Sequence, residues 1–181
     1  MTRMQQLSRR FRMFFLLVLG AIPLLAGLFW FNLELMLEGR FSLVCIYQGI
    51  DPGLVRGPVT PGMKLLGFLV SMLPGALQMA AMWSLARLFG EFARGELFSG
   101  TTVGLLARTG WVLLAAQGAG MLAGSLTTLV LTMHNPTGQH MISFSLSGAQ
   151  IMGACLGLAL VFAARVLDEA RLLREADSLT I

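Results

Sequence analysis

No Asp, Glu, Lys or Arg occurs between Arg108 and Arg165, a stretch of 56 residues. Two more runs are free of those four residue types, Met13–Leu33 and Leu65–Ala86. A helix of 22 residues spans ~33 Å, close to the ~30 Å hydrocarbon core of a bilayer. The long stretch is divided by MHNPTGQHM, whose Asn135-Pro136-Thr137-Gly138 is strong turn chemistry, so it holds two such helices. A chain with four runs of this kind has little choice of fold. Across hydrocarbon every backbone polar group must be satisfied internally, and a helix does this within one segment.

Composition supports the same reading. Hydrophobic residues make up 56% of the 181 residues and charged ones 12%, about half the share usual in soluble domains. The expectation is an all-α integral membrane four-helix bundle, one membrane domain over residues 1–181. Its spans fall at about 13–33, 65–87, 109–132 and 142–164, followed by a charged tail over 165–181. The first span follows Arg3, Arg9, Arg10 and Arg12, and FWFNLELMLEGR offers no small-residue cleavage site, so it reads as an uncleaved span rather than a signal peptide. Pro23 and Pro74 fall inside apolar runs, where a proline removes a backbone hydrogen bond and kinks a helix.

Between the first two spans lies a long polar connection. Phe41–Tyr47 within it reads as a strand or an interfacial segment, and DPGLVRGPVTPGMK as an irregular loop. Farther on, Gly95 reads as the stop of the helix carrying Arg87 and Glu91, and Ser99 or Thr101 as the cap of the next. In the tail, Arg165–Glu169 and Arg171–Glu175 are spaced four apart and support a helix. Cys45 and Cys155 read as free thiols packed as small apolar residues, since one lies in a loop and the other mid-span.

The formal charge of +4 does not point to nucleic acid, because the basic residues flank apolar runs instead of sharing one solvated face. They report orientation. Ten of the thirteen Lys and Arg fall on the N-terminal segment, the connection from Arg87 to Arg108 and the tail. By the positive-inside rule both termini are expected in the cytoplasm of a bacterial inner (plasma) membrane.

Little in the chain carries chemistry. No Ser–His–acid set, phosphate loop or carboxylate pair on one helix face is present, so no enzymatic activity is expected. Gln78, Gln117 and Gln150 lie in the apolar runs. They serve as hydrogen-bonding glue between helices or, in a competing reading, line the path of a small transporter or pore. Gly120-x-x-x-Gly124 and Gly153-x-x-x-Gly157 let neighbouring helices approach closely and are the expected helix-packing residues. His134 and His140, with Met133 and Met141, combine imidazole and thioether as copper sites do. Their spacing matches no standard zinc pattern and Met is an ordinary membrane residue, so neither metal nor cofactor is expected.

Gly95-Glu96-Leu97-Phe98-Ser99, with Leu105, Arg108 and Gly110-Trp111, resembles the G-x-x-F-[ST] … L-R-x-x-G pattern of a bacterial membrane family. The ending Leu173-Arg174-Glu175-Ala176-Asp177 and Leu179-Thr180-Ile181 is similar to that family's acidic D-L-T-I terminus. The family is catalogued as domain of unknown function 2975 and consists of small four-span proteins. Its members are often encoded beside a small Cro-repressor-type helix-turn-helix protein, so the resemblance implies a membrane partner for a cytosolic regulator. Both motifs fall on the expected cytoplasmic face. The residues expected to form an interaction surface are Gly95, Phe98, Arg108, Gly110 and Leu173. Besides the lipid bilayer, the expected partner is a cytosolic regulator protein. Val166, Ala170 and Leu173 follow the i, i+4, i+7 spacing of a helix stripe, which needs something to pack on.

Overall fold

A computed structural model describes residues 3–34, 55, 57–96, 99–135, 144 and 146–178. Among these residues are four long helices: α1 Arg3–Phe31, α2 Pro61–Arg94, α3 Gly100–Thr132 and α4 Gly148–Ser178. Among the described residues there is no strand. Each helix is long and apolar enough to cross a bilayer. The surface is that of a membrane protein. Large apolar side chains such as Leu17, Leu24, Leu25, Leu122, Met152 and Phe162 stand exposed, and many of the buried residues are small. In water this would be a cost of several kcal/mol for each cluster of such side chains; in lipid it is the stable arrangement.

The helices outrun the hydrocarbon. At 34 and 33 residues, α2 and α3 are each ~50 Å long, so both continue into aqueous surroundings. α1 begins at Arg3, ten residues before the expected span, because the basic N-terminal segment continues the same helix. α4 begins at Gly148, not at residue 142. Ser147 and Gln150 form a reciprocal capping box: the Gln150 N–H donates to Ser147 Oγ at 3.2 Å, and the Ser147 N–H to Gln150 Oε1 at 2.9 Å. Gln150 sits in a charge-free run, where nothing in the sequence separates a capping residue from a membrane glutamine. The Phe41–Tyr47 segment and Cys45 lie outside the described residues. Cys155 is a free thiol and is exposed on α4 rather than packed.

The chain divides into two compact units, whose boundaries in α1 and α2 fall beside Pro23 and Pro74-Gly75. One comprises Ile22–Gly75 and Gly118–Leu146. Its core is Phe29, Trp30, Leu33, Met63 and Leu131, with Val55, Val59, Phe68 and Val130 packed against it. The Trp30 ring lies directly on Gly67, where any Cβ would collide with it, and its Nε1–H donates to Ser71 Oγ at 2.8 Å. Gly67 and Ser71 are one turn apart, so together they make a groove with a polar end that fits an indole. The loop segment is held by Asn135, whose Oδ1 accepts the Gly57 N–H at 3.1 Å. Lys64 pairs with Glu34 at 3.0 Å.

The other unit comprises Met1–Ala21, Ala76–Gln117 and Ser147–Ile181. Phe89 of α2 stacks against Phe11 and Phe15 of α1 at centroid distances of 5.2 and 5.5 Å. α3 and α4 meet at glycine. A Cβ on Gly110 would lie 2.6 Å from the Gly157 carbonyl oxygen, and one on Gly157 would lie 2.9 Å from that of Gly110. Ser84 and Thr109, buried here, donate to Ala80 and Leu105 carbonyls one turn back, which satisfies their hydroxyls inside their own helices.

Candidate interaction surface

The second unit gathers the charge. It contains ten of the thirteen basic and six of the nine acidic residues, so the whole formal excess of +4 lies in it. Four of its elements pass beyond the charge-free runs: the start of α1 before Met13, the end of α2 from Arg87, the start of α3 before Arg108, and α4 after Ala164.

The connection from α2 to α3 is built by two caps. Gly95 has φ +90°. Its N–H donates to the Phe92 carbonyl at 3.1 Å, and that of Glu96 to Glu91 at 3.2 Å, the paired bonds of a Schellman motif. Glycine is required there because a side chain pays a steric cost at positive φ. α3 then opens on Ser99, whose Oγ accepts the Thr102 N–H at 3.2 Å. Thr102, fully buried, donates its own hydroxyl to the Glu96 carbonyl at 2.9 Å and ties the loop to the helix. Glu91 pairs with Arg94 at 3.2 Å, three residues on.

α4 runs unbroken past Arg165 to Ser178, with Val166, Ala170 and Leu173 all exposed. Against α3 it lays Arg171, whose Nη1 is so close to Gly100 that a Cβ there would collide with it. Arg171 pairs with Asp168, three residues back, at 3.7 Å. A shallow cleft of about 330 Å³ lies beside it, between the first turns of α3 and this part of α4.

Of the residues expected at the surface, Gly95, Arg108 and Leu173 are exposed, and Phe98 lies outside the described residues. Gly110 is buried in the contact with Gly157, so the structure gives it a packing position instead. Gly153 lies against the Gln117 amide of α3. Gly124 is exposed and a Cβ on it meets nothing within 4 Å, so the close α3–α4 approach passes through Gly110 and not Gly124; Gly120 is half-buried. The glutamines take three unrelated positions. Gln78 is exposed, Gln117 donates to the Leu113 carbonyl at 3.3 Å, and Gln150 caps α4. His134 is exposed, with its backbone against Gly57, and His140 lies outside the described residues. Arg171 and Thr102 were missed in the sequence, where nothing marks a tail arginine that reaches a glycine some seventy residues earlier.

Residues 22–181 match the family described as "Protein of unknown function (DUF2975)". The chain belongs to this family. No curated protein and no solved structure matches it. The match covers all of α2, α3 and α4, and so contains both the capped loop and the α4 extension.

Proposed function

We propose that this DUF2975 chain is a bacterial inner-membrane interaction protein that holds a cytosolic regulator on the extension of α4. The observation that carries this reading is the stripe Val166, Ala170, Leu173, exposed on a helix that continues past the last charge-free residue. Apolar residues facing lipid stabilise the fold, but the same residues facing water do not, and a short amphipathic stripe is a common docking element. Ten of the thirteen basic residues lie in its unit, an excess that by the positive-inside rule supports a cytoplasmic position for the stripe. The chemistry expected of the partner is an apolar groove or helix face rimmed by charge, as a small helix-turn-helix regulator offers. The transporter reading has less support, because the three glutamines do not share a position.

The experiment is co-expression of the full chain with a helix-turn-helix regulator encoded next to it, followed by fractionation of membranes. Wild type should retain the regulator in the membrane fraction. Leu173→Glu and Ala170→Glu should release it while the chain itself still inserts. If the regulator stays soluble with wild type, or remains bound to both variants, the docking reading is wrong.

A further inference from the structure

We infer that the cleft between the start of α3 and the extension of α4 binds the phosphate of an anionic phospholipid. Its walls are small residues, Gly104 and Ala107 on α3 and Ala164 on α4, and its polar lining is Arg165, Asp168 and Arg171. Arg165 and Arg171 thus bring guanidinium donors to the cleft. Arg171 also lies over Gly100, at the helix end that carries about half a positive charge. Phosphate oxygens suit the planar donors of arginine, and the adjoining helix end adds to the attraction for an anion.

The depth of the cleft selects a lipid over other anions. Arg165 is the first charge after the run ending at Ala164, and Arg108, beside Ala107, is the last before the run of α3. The floor of the cleft thus lies where the charge-free segments begin, which is where a bilayer places its phosphates. Leu158 and Phe162, both exposed, precede Arg165 by two turns and one turn on the same side of α4. They offer an apolar track along which acyl chains can run into the hydrocarbon. A volume of about 330 Å³ accepts a glycerophosphate headgroup, leaving the chains in the bilayer.

The test uses the full chain in nanodiscs of phosphatidylcholine, with and without phosphatidylglycerol, released into native mass spectrometry. Wild type should retain one phosphatidylglycerol in preference to phosphatidylcholine and show a raised melting temperature with it. Arg165→Gln combined with Arg171→Gln should lose both effects. Gly104→Leu should lose them too, although it leaves every charge in place; a Cβ at Gly104 meets nothing within 4 Å, so the variant is expected to fold. Arg94→Gln removes an exposed charge away from the cleft and should keep both. Retention that survives Gly104→Leu, or that falls equally with Arg94→Gln, would mean general charge attraction and overturn the site. Stabilisation by inorganic phosphate alone, equal to that by phosphatidylglycerol, would overturn the lipid assignment.

Discussion

Gly110 of α3 and Gly157 of α4 touch backbone to backbone: a Cβ on either would come within 3 Å of the other's carbonyl oxygen. Val161 and Leu114 stand beside the same contact, so an added side chain at either glycine meets backbone and side chain together. Replacing Gly110 or Gly157 by Leu should therefore lower the melting temperature of the detergent-extracted protein substantially, at a cost of about 1–3 kcal/mol or more for overpacking. Gly124→Leu should change it little, because nothing lies within 4 Å of a Cβ there. Comparable losses at all three positions would show that glycine matters here through helix propensity in general and not through one contact.

That difference shows what the sequence does and does not reveal. Charge-free runs follow from the cost of burying charge in hydrocarbon, a property of each segment alone, so the four helices were readable. Gly95 and Ser99 act through bonds within a few residues, and their capping roles were readable for the same reason. Which glycine meets which is another matter. Gly120-x-x-x-Gly124 and Gly110 look equally suitable in sequence, and the choice depends on the rotation of α3 about its axis, which no local pattern encodes. Gln150 is not legible as a cap, because a capping box and a membrane glutamine differ only in where the helix begins.

Trp30 offers a second test of packing. Its indole fills the groove of Gly67 and donates to Ser71 at 2.8 Å. Ser71→Ala removes only the acceptor and should cost about 0.6 kcal/mol, the usual value of a hydrogen bond between membrane helices. Gly67→Ala places a methyl inside the ring's volume and should cost clearly more. Thermal unfolding of the two variants in one detergent checks the order; the reverse order would mean that the ring does not rest on Gly67.

The α2–α3 connection should depend on its glycine. At φ +90°, Gly95→Ala is expected to lose about 1 kcal/mol or somewhat more, through strain at positive φ. Thr102→Val, which removes the bond to the Glu96 carbonyl while keeping the shape, should add a loss of similar size. Faster proteolysis between α2 and α3, measured on inverted membrane vesicles, would report both. Unchanged cleavage in the two variants would show that other contacts fix this loop.

Orientation is the prediction on which the docking surface depends. One unit holds ten basic and six acidic residues, and the other three of each, so their difference comes from Lys and Arg and not from a general excess of charge. That is the kind of asymmetry that sets topology, because Asp and Glu contribute little to it. Gly57 and Gly95 are poor places for a reporter, since one is crowded by the His134 backbone and the other needs positive φ. Pro58 and Glu96 are exposed and lie one residue away from each. In a background with Cys45 and Cys155 replaced by Ser, a membrane-impermeant maleimide should label Pro58→Cys in intact spheroplasts. Glu96→Cys should react only after permeabilisation. Labelling of Glu96→Cys from outside would invert the protein and place the Val166–Leu173 stripe out of reach of any cytosolic partner. Lowering the basic count of the N-terminal segment, with Arg9, Arg10 and Arg12 replaced by Gln, should leave the orientation largely intact, because six basic residues of the same unit remain on α2, α3 and α4. A mixed population in that variant would show that the first helix alone decides the topology.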